Sequence, residues 1–190
     1  MELLPKLIVI GGSWGGIQAA LHILQNLPAN YKIPIVLVLH QLRNNEGTLP
    51  EIFSKRLKLQ VCEIEDKMLL TSGTVYIAPS NYHVLVENDL SLSLDDSELE
   101  NHSRPSIDIT FSSAASVVGD QVIGILLSGA NKDGSAGLKE IAERGGKVIV
   151  QDPREAQVNT MPLAAVSAVP DCSVMDIQAI FTFLRSLHVN

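Results

Sequence analysis

The chain has 190 residues, the size of one domain or two very small ones. Hydrophobic residues at 46% against charged residues at 18% exclude a disordered chain. A formal net charge of −7 excludes a nucleic-acid surface, whose phosphates demand Lys and Arg.

The two cysteines, Cys62 and Cys172, are far apart and form no C-x-x-C pair. That argues against a disulfide framework or a zinc site and for free thiols in a reducing compartment. No apolar run approaches the roughly 18–20 residues that span a bilayer. The apolar residues 7–10, which follow Glu2 and Pro5, are too short for a signal-peptide core. The expectation is a cytoplasmic protein with no membrane insertion.

In chain order, residues 6–11 (KLIVIG) read as a buried strand. Residues 14–27 read as a helix, with Ile17, Ala20, Leu21, Leu24 and Leu27 at helical spacing and Pro28 as the stop. Residues 33–39 (IPIVLVL) are a second continuously apolar strand. Continuous apolarity means both faces are covered, as in a parallel sheet with helices on each side. Residues 74–78 and 83–87 read as two strands joined by a Pro79-Ser-Asn turn, an antiparallel excursion. Residues 95–104 are polar and patternless, a surface loop. A helix is expected from Pro105, with Ile107, Phe111, Ala114, Ala115 and Val118 on one face. Residues 121–127 form a third buried strand, 133–144 a helix closed by Gly145-Gly146, 147–151 a fourth strand and 176–187 a final amphipathic helix. The fold class is α/β: one doubly wound, mostly parallel sheet with helices on both faces, a Rossmann-like three-layer arrangement with a short antiparallel excursion.

Ligands of such sheets bind beyond the carboxyl ends of the strands. Three polar sites stand there. Gly11-Gly-Ser-Trp-Gly-Gly16 follows the first strand and contains G-x-S-x-G, a turn that lifts the Ser13 hydroxyl above the sheet edge. The helix behind it offers free N–H groups to an oxyanion. Both nucleotide fingerprints, G-x-G-x-x-G and G-x-x-x-x-G-K-[ST], are missing. On this motif alone a hydrolase elbow and a phosphate cradle stand level. His40 closes the second strand, where an imidazole could take the hydroxyl proton and return it to a leaving group. His22, His83, His102 and His188 have no such position. Asp133, in the loop Ser128-Gly-Ala-Asn-Lys-Asp-Gly134, could orient His40. Viewed alone it reads more simply as the N-cap of the following helix. Asp152 is the runner-up orienter, and Asp108 reads as a helix cap. The order serine, histidine, aspartate, with the serine on the first strand, differs from that of the α/β-hydrolases.

With those residues in place the chain resembles the catalytic domain of the CheB chemotaxis protein-glutamate methylesterases over nearly its whole length. The resemblance rests on GGSWGG at 11–16, VLH at 38–40, YIAPSNYH at 76–83, RPSID at 104–108, LLSGANKDGSAG at 126–137, QD at 151–152 and MP at 161–162. It implies Ser13 as nucleophile, His40 as general base and Asp133 as orienting acid, with the backbone N–H groups of Trp14 and Ala130 as oxyanion hole. Met161, Pro162 and Arg104-Pro105-Ser106 would line or support the cleft. No cofactor or metal is implied. The implied activity is hydrolysis of glutamate γ-methyl esters on the helical signalling domain of a methyl-accepting chemoreceptor, releasing methanol. Deamidation of receptor glutamines is a candidate second activity.

Two departures stand out. Family members often carry a small residue or threonine at Trp14, and methionine and glycine at Ala130 and Asn131. Trp14 would then either narrow substrate access or simply pack over the turn. A family member also typically carries a receiver domain, about 100 residues or more, ahead of the esterase. Here the first strand begins near Lys6, so residues 1–190 are expected to be the catalytic domain alone, with a separate regulatory protein as a candidate partner. The alternatives are a non-catalytic module of the same fold that binds a signalling partner or phosphate ligand, and a serine hydrolase with a different ester substrate.

Overall fold

A computed structural model describes residues 6–40, 48–100 and 102–188. Strands β1 (Leu7–Gly12), β2 (Ile35–Leu39), β3 (Gln60–Glu63), β5 (Thr74–Ile77), β8 (Val122–Leu126), β9 (Lys147–Gln151) and β10 (Ser173–Met175) form one sheet. Its order is β10-β9-β8-β1-β2-β5-β3, with every pairing parallel. Strands β4 (Met68–Leu69), β6 (His83–Val86) and β7 (Ser91–Asp95) make a small antiparallel sheet in the order β4-β7-β6.

The continuous apolarity of the strands is used on both faces. Ile8, Ile10, Ile35, Leu37, Ile123 and Ile125 point to one side. There they meet helix α1 (Gly16–Leu24), α2 (Thr48–Arg56) and α6 (Ile177–Ser186). The alternate residues Leu7, Val9, Val36, Val38, Val122 and Leu126 point to the other side. They meet α3 (Ile107–Val118), α4 (Ser135–Glu143) and α5 (Thr160–Ala168), along with Val84, Val86 and Leu92 of the small sheet. A period of two along each strand thus feeds two separate cores.

The expected pairing of residues 74–78 with 83–87 is not what forms. The first segment is β5 and pairs β2 and β3 in the large sheet, while β6 pairs only β7. β5 is buried along its whole length, as befits an interior strand between β2 and β3, whereas β6 is an edge strand whose one ladder partner is β7. The other expected elements are present with ends shifted by up to three residues.

Strand order places the site. From β1 the chain moves outward to β2 and β5, then returns through α3 to β8 on the opposite side of β1. The loops after β1 and β8 therefore diverge to helices on opposite faces, α1 and α4. That is the crevice in which doubly wound sheets hold ligands. Among the described residues no helix is long and apolar enough to cross a membrane, and no cluster of potential metal ligands exists.

Candidate active site

Register brings the three expected polar residues together. Gly12 of β1 pairs with Leu39 of β2, and the His40 N–H donates to the Gly12 carbonyl at 3.0 Å, so His40 lies beside Ser13. On the other flank Gly11 pairs with Leu126 of β8, and the Ser13 N–H donates to the Ser128 carbonyl at 2.9 Å. The turn between β1 and α1 closes with the Gly16 N–H on the Ser13 carbonyl at 2.8 Å. Gly15, at φ +81°, supplies the left-handed residue this turn requires. Ser13 is half-buried. Among the described residues its hydroxyl has no hydrogen-bond partner, His40 included.

His40 Nε2 donates to Asp133 Oδ2 at 2.8 Å. The His40 side chain keeps 13% of its surface exposed, whereas that of Asp133 has none. The Asp133 carboxylate does more than hold an imidazole. Its Oδ2 also accepts the Ile107 N–H at 2.8 Å, and its Oδ1 accepts the Asp108 N–H at 2.9 Å and the Ser106 hydroxyl at 3.1 Å. Asp133 therefore satisfies the first amides of α3, the helix beside α4 on the same face of the sheet, next to that helix's own N-cap Ser106, and not the helix that follows it. At the start of α4 the N-cap position is held by Gly134, which has no side chain to cap with. Burial pushes the Asp133 carboxyl up. The His40 bond and the two amides outweigh that and hold it below the usual carboxylate range. The positive end of the α3 dipole acts in the same direction.

The exchange is reciprocal. Asp108, in the first turn of α3, accepts the Gly137 N–H of α4 at 2.8 Å. Each helix is thus capped by an aspartate from the other chain segment. Burial pushes the Asp108 carboxyl up to about 6, opposed by the Gly137 amide and reinforced by the nearby Asp133 charge. Behind α3, His83 is fully buried. Its Nδ1 accepts the Ser106 N–H at 3.1 Å, and its Nε2 donates to the Glu98 carbonyl at 2.9 Å. That pattern fixes a neutral imidazole with the proton on Nε2. The supporting roles of His83, Ser106 and Asp108 were not visible in the sequence. Their partners lie 15 to 29 residues away.

The remaining expected residues divide. Trp14 is 66% exposed, so it does not pack over the turn. Ala130 is exposed as well, and among the described residues neither the Trp14 nor the Ala130 amide has an acceptor within the chain. Met161 is buried against Gly129, whose carbonyl accepts the Met161 N–H at 3.0 Å. A Cβ on Gly129 would fall 2.7 Å from Met161 Sδ and 3.0 Å from Ser13 Cβ, so glycine is what lets the three approach. Pro162 is buried in the first turn of α5, where its missing N–H costs nothing. Arg104 turns away from the triplet: its Nη1 donates to the carbonyls of Asp96 and Ser97 at 2.6 and 2.7 Å, holding the loop after β7. Asp152, the runner-up orienter, is engaged by Arg154 at 2.6 Å.

Sequence and structure comparisons place the chain among known proteins. A model of the CheB methylesterase family matches residues 8–184. A protein of Leptospira interrogans serovar copenhageni, named a putative protein-glutamate methylesterase/protein-glutamine glutaminase, is 44% identical over 96% of this chain and 95% of its own. The protein-glutamate methylesterase FrzG of Myxococcus xanthus is 39% identical over 84% of this chain. The chain spans 48% of FrzG, about half its length. The crystal structure of the Thermotoga maritima CheB methylesterase catalytic domain superposes with a TM-score of 0.91 at 32% identity, covering 97% of this chain and 100% of that one. The chain belongs to the CheB methylesterase family.

Proposed function

We propose that this protein hydrolyses glutamate γ-methyl esters on the helical signalling domain of a methyl-accepting chemoreceptor, by a Ser13–His40–Asp133 triad. The observation that carries the reading is the 2.8 Å bond from His40 Nε2 to a fully buried Asp133 carboxylate, on a histidine held beside Ser13 by the strand register. The names of the Leptospira and Myxococcus relatives support the substrate class.

The proton transfers follow from this reading. Asp133 occupies Nε2, so Nδ1 is the nitrogen left to serve as base. Ser13 Oγ attacks the ester carbonyl carbon while its proton passes to Nδ1. The Trp14 and Ala130 N–H groups receive the developing oxyanion. The C–O bond to the methoxy group breaks, and methoxide takes the imidazolium proton and leaves as methanol. Water then attacks the acyl-enzyme, losing a proton to His40, and Ser13 is regenerated with a glutamate product. The same steps on a glutamine release ammonia, the deamidation named for the Leptospira relative. A Ser13 hydroxyl without a bond to His40 is compatible with this role, because catalytic hydrogen bonds commonly tighten when substrate binds. An acidic chain with free cysteines suits action in the cytoplasm.

The test is methanol release from a methylated receptor signalling domain, wild type against Ser13→Ala. The reading expects release by wild type and none above background from the variant. Labelling of Ser13 by a fluorophosphonate without methanol release would instead leave a serine hydrolase of other specificity.

A further inference from the structure

We infer that Ser128 is a positioning residue that sets the spacing between the nucleophile and the two oxyanion amides; the inference rests on the hydrolase reading above. Ser128 ends the run after β8 and is 1% exposed. Its carbonyl accepts the Ser13 N–H at 2.9 Å, and its hydroxyl lies 2.7 Å from the Trp14 carbonyl. The hydroxyl accepts the Val158 N–H at 2.9 Å, and the Val158 carbonyl lies 3.1 Å from it. A hydroxyl has one proton to give, and the shorter contact takes it, so Ser128 donates to Trp14.

The Trp14 N–H therefore sits in a dipeptide gripped at both ends by one residue. The group before it, the Ser13 amide, and the group after it, the Trp14 carbonyl, are both tied to Ser128. The second amide belongs to Ala130, two residues further along the same loop. Between them the Gly129 N–H donates to the Val158 carbonyl at 3.1 Å. Ser128 is itself anchored, because its N–H donates to Oε1 of the buried Gln151 at 2.8 Å. Gln151 passes the restraint on to Glu155 at 3.4 Å, whose Oε1 accepts the Ile177 N–H of α6 at 2.7 Å. The elbow closes directly on the hydroxyl: a Cβ on Gly15 would lie 2.7 Å from Ser128 Oγ.

An oxyanion hole works only if its donors stand about 2.7–3.1 Å from where the charge will be. Removing the Ser128 hydroxyl frees the Trp14 carbonyl and lets the peptide beside Ser13 rotate. The ester's ground state does not need those amides, so the loss falls on kcat and not on KM. A serine with a merely structural role would cost stability without producing that split.

The experiment compares wild type, Ser128→Ala and Ser128→Thr in methanol release from a methylated receptor signalling domain, with thermal unfolding measured in parallel. Alanine should lower kcat by about 10²-fold, the cost of misplacing or losing an oxyanion donor, with KM within about twofold of wild type. Threonine keeps the hydroxyl and should recover most of kcat. A folded alanine variant with wild-type kcat, a loss carried by KM, or a threonine variant as impaired as alanine would overturn the inference. If alanine does not fold, Ser128→Cys replaces it: the weak thiol donor should give the same split with a loss of about tenfold, and wild-type kcat would overturn the inference. Where wild type releases no methanol yet is labelled at Ser13 by a fluorophosphonate, the substrate assignment falls. Ser128 is then judged on labelling rate, expected about 10²-fold slower in alanine and overturning the inference if equal. Wild type inactive in both assays overturns both readings.

Discussion

The two sides of the crevice are built on opposite terms. On the acid side every polar atom of the Asp133 carboxylate is occupied, by an imidazole, two helix amides and a hydroxyl, with no exposure to water. On the elbow side Ser13 is half-buried, its hydroxyl is unbonded, and the Trp14 and Ala130 amides have no acceptor among the described residues. Under the proposed mechanism the difference follows from when each group is needed. A charge present throughout the cycle has to be satisfied in the resting protein, or its burial would be prohibitive. Donors for a charge that exists only in the transition state have to be left open. The contrast locates rigidity on one flank and vacancy on the other.

The largest way to break the contrast is at its open side. Ser13→Ala should lower kcat by about 10⁶-fold, as in comparable triads, with the unfolding temperature unchanged, measured by methanol release and a thermal melt. Next is the closed side. Asp133→Asn should lower kcat by about 10⁴-fold by presenting an amide N–H where His40 needs an acceptor. Unlike the serine change it should also destabilise the fold, by about 2–3 kcal/mol, because charge-assisted bonds to α3 are lost. Denaturant titration reads that difference. If both variants were equally stable, the acid side would not be the rigid one.

Asp108 sharpens the comparison by pH. Its carboxyl titrates near 3.8 when unfolded and about 6 when folded, so the native state binds the proton more tightly. The stability it contributes is complete below about 3.8 and is lost as pH rises through about 6. Asp108→Asn imitates the protonated form at every pH. Its melting temperature should therefore gain on wild type between pH 4 and 7, and a constant or shrinking gap would contradict the assignment. The smallest effect is expected at Trp14→Ala. The indole is 66% exposed and the proposed mechanism uses only the Trp14 backbone, so stability should move by no more than about 0.5 kcal/mol. In steady-state kinetics any change should lie in KM, not kcat.

The large sheet was legible because its strands are continuously apolar and end in glycines or polar residues, which makes strand ends and helix starts visible from spacing alone. Ser13 and His40 could be found for the same reason, since both close a strand. The edge strand β3 of the large sheet and the strands that partner β6 in the small one were not. Residues 60–63 (QVCE) and 91–95 (SLSLD) are too polar to announce a strand, and they pair because a neighbouring segment supplies the other half of each ladder. Asp133 was ambiguous for a related reason. An aspartate before a helix reads as that helix's cap, and only tertiary contact reveals that Asp133 and Asp108 have traded helices. Ser128 carried no periodic signal, because its contacts run to residues 13, 14, 151 and 158.

That trade has a consequence for how the molecule opens. Fraying the start of α3 exposes the amides of Ile107 and Asp108, and it cannot happen without also releasing Asp133 and the amide of Gly137. The first turns of two helices, far apart in sequence, should therefore exchange their amide hydrogens as one cooperative unit. Catalytic competence and the integrity of that unit would rise and fall together, which makes the esterase a built-in reporter of whether its own two halves are latched.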